Sequence, residues 1–422
     1  MKNEKGIIKL VLFSSCSLMF IMIIISIFHY GNSTLLGNFY SPNNDDVKYI
    51  RSAWTLAQTG NFIFHKPPAP TVFMMPGLPY VLAFFMKLFG QFGGITAIRI
   101  VQAILQVFSL LLIFYIARKI FDSKVAIIAV IFDLFYIVEF WVPNLILTET
   151  FFKFFVLCLV YFSLYALDEH KTKFYVLGGI FLGLATLFRP TIVMFPILIL
   201  IMWIIKRVKF RYGFKYTVIV GLAFCIVLSP WWIRNYVIFN RFIPFTLSTG
   251  NPMWQGTFIN YNQKSKITDG LDYSNYDTKN PKLSEIQRND MEIALSKYRL
   301  KNLFPKEPLN FIYWYTIKKG WIQINSPFYW KDIFGVSGNL AKGYHRMLLI
   351  LGGIGSLLYL KNKKKNILGI LPIMTVIYFV IVYLPFYTMG RYFYPVMPYI
   401  MIFSSYCFSD LCNRISKLTK ST

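Results

Sequence analysis

Two adjacent carboxylates, Asp45 and Asp46, open a stretch in which Val47, Ile50, Ala53, Trp54 and Ala57 recur at the spacing of one helical face, closed by Gly60. The spacing predicts a helix whose first turn carries both acids. A carboxylate so placed can take a proton from a hydroxyl; the competing reading is that Asp45 only caps the helix by accepting backbone N–H bonds. Further acids stand at Glu139, at Glu149 in Leu147-Thr148-Glu149-Thr150, and at Asp133. Asp133 falls in the middle of an apolar run, where a lone carboxylate is expected to be neutral and hydrogen-bonded to a neighbouring helix. Three arginines stand at the ends of apolar runs: Arg189 before Pro190, Arg234 after Trp231-Trp232-Ile233, and Arg391 in Gly390-Arg391-Tyr392-Phe393-Tyr394-Pro395. A guanidinium fork suits a phosphate, to which it gives paired, charge-assisted hydrogen bonds that a lysine cannot match.

The elements that must hold these groups are membrane helices. Of 422 residues, 56% are hydrophobic, 19% aromatic and only 15% charged, far more apolar material than one soluble core needs. The formal charge of +26 does not point to nucleic acid, because Lys and Arg cluster in short loops between apolar runs, the distribution that sets orientation in a bilayer. Cys16, Cys158, Cys225, Cys407 and Cys412 lie in apolar segments without metal-type spacing and read as small hydrophobes. No Cys/His cluster, phosphate-cradling Gly loop with its Lys, or nucleophile elbow is present, and His29, His65, His170 and His345 are scattered.

A first span near 6–28 after a basic N-terminus puts residues from His29 outward. The piece from Met75-Pro76-Gly77-Leu78-Pro79 to Leu88-Phe89-Gly90 is short for a crossing and reads as a juxtamembrane helix. Spans near 100–117, 123–143, 150–167, 174–188, 190–205, 216–233, 344–360, 367–386 and 394–412 then leave every basic cluster inside, including Lys206 to Lys215 and Lys361 to Lys365. The fold class is therefore an all-α polytopic membrane protein of about ten transmembrane helices, with outer juxtamembrane helices and a small extracytoplasmic segment. A catalytic transmembrane module is expected over 1–233, including a first outer loop 29–99; an extracytoplasmic segment over 234–342, with an amphipathic helix at 284–303; and C-terminal transmembrane helices over 343–422. A tight helical hairpin is expected at Arg189-Pro190. On this topology Arg189, Arg234 and Arg391 all face outward, against the positive-inside bias, which favours an anionic ligand over snorkelling to headgroups.

The ordered set of motifs resembles the polyprenyl-phosphate-sugar-dependent glycosyltransferases of the C superfamily, near the bacterial aminoarabinose and protein mannosyltransferase group. Asp45-Asp46-Val47-Lys48-Tyr49 with Ala53, Leu56 and Gly60 is similar to that family's first outer-loop acidic motif, and Pro76-Gly77-Leu78-Pro79 to Leu88-Phe89-Gly90 to its juxtamembrane segment. Thr148-Glu149-Thr150 is similar to its second acidic motif, and the segments around Arg189, Arg234 and Arg391 complete the set. Two positions depart from it. Asp46 stands where many relatives have Glu, and Met74 where some carry a Lys, with Lys66 further upstream.

The resemblance implies a membrane glycosyltransferase that moves a sugar from a polyprenyl-phosphate donor to an acceptor hydroxyl on a glycan, lipid or protein, outside the cytoplasmic (inner) membrane and with inversion, in cell-envelope glycan or glycolipid modification. It implies Asp45 as the base, Asp46 and Glu149 as acids that orient the base or acceptor, and Tyr49, Arg189, Arg234 and Arg391 as substrate-binding residues. No cofactor is called for; a divalent metal between Asp45 and Glu149 is left open, and no nucleic-acid partner is expected. The rival reading is a transporter or flippase of an anionic polyprenyl lipid, with the arginines and Asp133 lining a path; it calls for inverted repeats, and none stands out. The topology predicts that in a cysteine-free background Asn260→Cys reacts with an impermeant thiol reagent on intact cells and Phe210→Cys only after permeabilisation; the reverse pattern would overturn it.

Overall fold

The computed structural model describes residues 2–40, 44–65, 69–278, 280 and 282–421; Lys66 and the start of the Ser41-Pro42-Asn43 run lie outside them. Among the described residues the chain is built of helices, with one isolated bridge between Ile333 and Val336. In order they are α1 (Lys2–Tyr30), α2 (Asp45–Thr59), α3 (Gly77–Ile120), α4 (Ser123–Leu134), the short α5 (Val138–Trp141) and α6 (Glu149–Glu169). Then come α7 (Thr172–Phe188), α8 (Pro196–Ile205) and α9 (Phe210–Phe239). A polar stretch holds α10 (Gly250–Gly256), α11 (Ser265–Thr268), α12 (Glu285–Leu303), α13 (Pro308–Tyr313) and α14 (Lys319–Ile324), before α15 (Gly338–Lys361), α16 (Ile370–Tyr383) and α17 (Met397–Ser421).

The ten apolar segments read from the sequence fall on these helices. Four spans, Lys5–Thr34, α3, α6 and α9, are long and apolar enough to cross a bilayer, and α4 with Val138–Asn144, bent by 61°, makes a fifth if the pair is one span. Thr172–Phe188, Pro190–Ile205 and Ile367–Tyr383 are apolar but shorter. The piece that opens at Gly77 ends where the sequence ends it: Gly90 takes φ 72°, ψ 175°, a conformation closed to other residues, and divides α3 into two helices. α7 meets α9 through Gly179 and Gly183, where an added Cβ would stand 2.7 Å from the Val220 carbonyl oxygen and 2.7 Å from Val227 Cβ. Small residues at this spacing let two backbones approach where apolar lipid gives no driving force of its own. α7 ends at Phe188, with Arg189 extended at its C-cap and Pro190 opening the next turn, so the chain turns where the hairpin was expected, but α7 packs on α6 and α9 rather than closely on α8.

The first turn of α2 is held by Asp46, not by Asp45. Asp46 is fully buried and accepts from the backbone N–H of Leu36 (2.5 Å), Gly37 (3.2 Å) and Val47 (2.8 Å). The N-cap is Asn44, whose side chain accepts from Asp45 N, so the cap reading of Asp45 does not hold; Gly60 ends the helix at φ 72°. The expected amphipathic helix is α12, which starts in a capping box of Ser284 and Gln287. Its Glu285 accepts from Thr71 Oγ1 (2.9 Å) and pairs with His65 Nδ1 (2.9 Å), tying the polar stretch to the loop after α2.

Polar side chains hold the bend between α4 and α6. Arg99 Nε donates to the Asn144 carbonyl (2.7 Å), and Gln102 Nε2 to those of Pro143 and Leu145 (both 2.9 Å). Below the bend lies a dry ion pair that the sequence reading did not find: Lys153 and Glu139, both fully buried, in close contact, with Gln106 Nε2 and Tyr394 Oη also donating to Glu139. Asp133 departs from expectation. It is fully buried, yet neither carboxylate oxygen has a hydrogen-bond partner among the described residues. Removing one member of a buried pair strands the other charge, whereas removing both need not destabilise. Lys153→Met is therefore expected to cost about 3–5 kcal/mol by chemical denaturation in detergent, and the Lys153→Met/Glu139→Gln double variant distinctly less; equal losses would show that the pair's charge is not what matters.

Candidate active site

A cavity of about 260 Å³, open on one side, gathers the termini of several helices. Its walls come from the start of α2 (Asp45, Tyr49), Phe64 and the 73–75 segment, Thr148 before α6, the turn between α7 and α8 (Phe188 to Thr191), residues 246–252, and the segment from Tyr383 to Tyr392. Asp45 stands at the mouth with 43% of its side chain exposed, and Arg391 Nη2 lies 3.0 Å from its Oδ2. Glu149, fully buried, is in close contact with Arg189 Nη2 and lies 3.7 Å from Arg391 Nε. Arg189 Nε also donates to Thr148 Oγ1 at 2.7 Å. The chain of charges thus runs Asp45, Arg391, Glu149, Arg189, two acids alternating with two bases.

Aromatic rings pack against the two guanidinium groups. Tyr392 lies under both guanidinium groups, its ring centre 5.5 Å from Arg189 and 5.3 Å from Arg391, and it stacks on Tyr383 at 4.5 Å. Burial opposes the charge on Arg391, but Tyr392 and the Glu149 and Asp45 carboxylates outweigh it, and its pKa stands well above the ordinary arginine value. Burial, with Asp45 adding to it, likewise raises the Tyr49 hydroxyl, which stays a neutral donor and acceptor on the wall.

The structure brings together Asp45, Tyr49, Glu149, Arg189 and Arg391. Asp46 and Arg234 are placed elsewhere. Asp46 holds the first turn of α2. Arg234 donates to the Thr71 carbonyl (2.8 Å) and to Asn235 Oδ1 (2.9 Å), packed among the rings of Phe62, Trp231 and Phe239. The reason is that α9 does not end at 233: it runs on to Phe239, so Arg234 lies on its side and braces the 71 loop. Met74 lines the cavity where some relatives of the resembled family carry Lys. Thr148, Tyr383 and Tyr392 were not singled out from the sequence; each neighbours or stacks on a residue that was. Among the described residues no group of three His, Cys, Asp or Glu side chains could hold a metal, and the Arg391 guanidinium occupies the place between Asp45 and Glu149.

Residues 66–233 match the family model for dolichyl-phosphate-mannose-protein mannosyltransferase, a stretch that contains Glu149 and Arg189 and leaves Asp45, Arg234 and Arg391 outside. The fold is similar to that of the oligosaccharyltransferase of Archaeoglobus fulgidus: the apo form has a TM-score of 0.56 at 16% identity, covering 96% of this chain and 51% of that one. The same archaeal enzyme in complex with an inhibitory peptide and a dolichol-phosphate gives 0.55 at 15% identity, over 97% and 52%. This chain therefore spans about half the length of those relatives. ArnT from Cupriavidus metallidurans bound to undecaprenyl phosphate is similar at a TM-score of 0.45 and 13% identity, over 95% of this chain and 77% of that one. No curated protein sequence matches. Over residues 66–233 the chain therefore resembles the protein mannosyltransferase side of the expected group, as the motifs in that stretch implied.

One further residue bears on the cavity from behind. Lys319 of α14, fully buried, donates to the Leu384 carbonyl (2.8 Å) and sits 3.8 Å from the centre of the Tyr315 ring. Beside it, Tyr387 N donates to the Pro252 carbonyl at 2.8 Å, and Pro252 and Tyr387 both line the cavity. The polar stretch thus grips the segment that leads to Arg391. Burial with no acid nearby pushes the Lys319 ammonium down to about 7. The unfolded chain keeps an ordinary lysine near about 10.4, so between these values it binds more protons than the folded chain and stability rises with pH. The melting temperature of the wild type relative to Lys319→Met is expected to climb from about pH 7 to about pH 10; a difference that stays flat over that window would contradict the burial of this charge.

Proposed function

We propose that the chain is a membrane glycosyltransferase that moves a sugar from a polyprenyl-phosphate donor to an acceptor hydroxyl on the extracytoplasmic side, with inversion. The observation that carries the reading is the pairing at the cavity mouth: an exposed Asp45 carboxylate 3.0 Å from Arg391, with Arg391 backed by the buried Glu149 that also holds Arg189. Support comes from the mannosyltransferase family match and from a fold shared with an archaeal oligosaccharyltransferase solved with dolichol-phosphate.

In this reading the donor phosphate takes charge-assisted hydrogen bonds from Arg391 and Arg189. An anion arriving there competes with Asp45 for Arg391, which frees the carboxylate to accept a proton. The acceptor hydroxyl gives its proton to Asp45 while its oxygen bonds to the anomeric carbon from the face opposite the phosphate. The bond from that carbon to the phosphate oxygen breaks, and its electron pair stays on the phosphate, where the arginines stabilise the charge. Glu149 keeps both guanidinium groups in place, and Tyr49 contacts bound substrate through its hydroxyl. Asp46 holds α2 so that Asp45 faces the cavity, and Arg234 braces the 71 loop. The site lies in the module 1–233 completed by Arg391 from the C-terminal helices, and it faces outward from the cytoplasmic membrane.

The deciding experiment is Asp45→Asn, assayed in membranes with a panel of polyprenyl-phosphate sugars and mass spectrometry of the products. Because Asn44 caps α2, the substitution is expected to leave the melting temperature unchanged while turnover falls by about 100- to 10,000-fold, the usual cost of losing a general base. Near-normal turnover in a folded Asp45→Asn protein would remove Asp45 from the chemistry.

A further inference from the structure

The polar stretch between α9 and α15 holds a second cavity, of about 730 Å³, bounded by the 259–269 segment, the C-terminal half of α12 and the 306–318 region. Its size is that of a ligand site, roughly 300–1,000 Å³. Its lining is unlike that of the first cavity. Three amides, Asn260, Asn262 and Asn310, face it together with the hydroxyls of Ser265 and Thr268. All of these but Ser265, which is half-buried, are exposed side chains. Arg299 is built into the wall with only 4% exposure: one terminal nitrogen pairs with Asp269 and donates to Tyr273 Oη (2.7 Å), the other donates to Ser265 Oγ (3.2 Å), and Nε has no partner. A row of planar amides and hydroxyls beside this buried cation is a surface for ligands dense in hydroxyl groups, which both give and take hydrogen bonds. The half-exposed ring of Tyr313 adds an apolar face of the kind that packs on a sugar ring.

The two cavities share a wall. Tyr261 Oη pairs with Thr388 Oγ1 at 2.8 Å, and the Tyr261 ring lies 4.3 Å from that of Tyr387, which lines the first cavity. On its other side Tyr261 packs 4.9 Å from Trp314, which lines the second. The rings of Tyr387, Tyr261 and Trp314, packed in succession, therefore separate the two cavities.

We infer that the second cavity binds an oligosaccharide segment of the acceptor, several sugars from the hydroxyl that reacts. The inference rests on the proposed transferase reading and deepens it by naming the acceptor as a glycan chain. A peptide acceptor is the less favoured occupant, because no strand edge lies along the cavity among the described residues and its exposed lining joins three amides and a hydroxyl to Lys306, Glu307 and a single ring, Tyr313.

The test is binding, measured apart from transfer. The purified chain in lipid nanodiscs is applied to an array of bacterial-envelope oligosaccharides and to a peptide array, and affinity for the best-bound saccharide is then measured in solution. Expected is saccharide binding that weakens at least tenfold in Asn262→Ala/Asn310→Ala and again in Lys306→Ala, with unchanged melting temperatures, and that persists in Asp45→Asn. Absence of saccharide binding, equal affinity in the Asn262→Ala/Asn310→Ala protein, or peptide binding lost in that variant instead would each overturn the inference. Saccharide binding with the expected losses in a protein that transfers no sugar from any polyprenyl-phosphate donor would uphold this site and overturn the transferase reading alone.

Discussion

The arrangement of the first cavity depends on one buried carboxylate. Glu149 stands at the N-terminus of α6 with no exposure to solvent, and without cations it would be too costly to keep ionised there. Arg189, from the turn after α7, and Arg391, from the turn before α17, meet that demand, and in doing so they bring three distant parts of the chain to one point. Arg391 then has a terminal nitrogen left over, and Asp45 takes it. The same charge balance that makes the fold affordable leaves a guanidinium and a carboxylate facing open space, where an incoming anion and hydroxyl would find them.

Much of this was legible in the sequence, and the parts that were not have physical causes. The α2 pattern is clear because its apolar positions keep strict helical spacing, and the break at Gly90 because glycine there ends an apolar run. Which of three adjacent polar residues caps α2 was not legible, since Asn44, Asp45 and Asp46 all suit the place and only the position of the 36–37 backbone decides that Asp46 turns inward. Arg234 looked like Arg189 and Arg391 because all three end apolar runs, but α9 continues past it while α7 stops at Phe188. The partnership of Glu149 with both arginines is a contact across long sequence distances, which no local pattern encodes.

Lys153 is a different kind of omission, because a signal existed. A lysine one turn after Glu149, in a helix otherwise rich in Phe, Leu and Val, cannot face lipid cheaply, and the nearby apolar segments hold Glu139 and Asp133. The structure makes the pairing with Glu139 and adds Tyr394, whose hydroxyl donates to the same carboxylate. Tyr394 is three residues from Arg391, so the dry pair in the bundle also anchors the turn that carries the exposed end of the charge chain.

Arg391 is consequently fixed from two directions. From within the bundle, the Glu139 network holds Tyr394; from the polar stretch, Lys319 binds the Leu384 carbonyl and Pro252 accepts from Tyr387. The turn between α16 and α17 is irregular backbone beside membrane helices, tolerable only where other groups satisfy its polar atoms. The polar stretch supplies those groups, and so it is part of the first cavity and not an appendage to it. Its own cavity lies beyond Trp314 and Tyr261, and the Tyr261 hydroxyl bonds the same turn through Thr388.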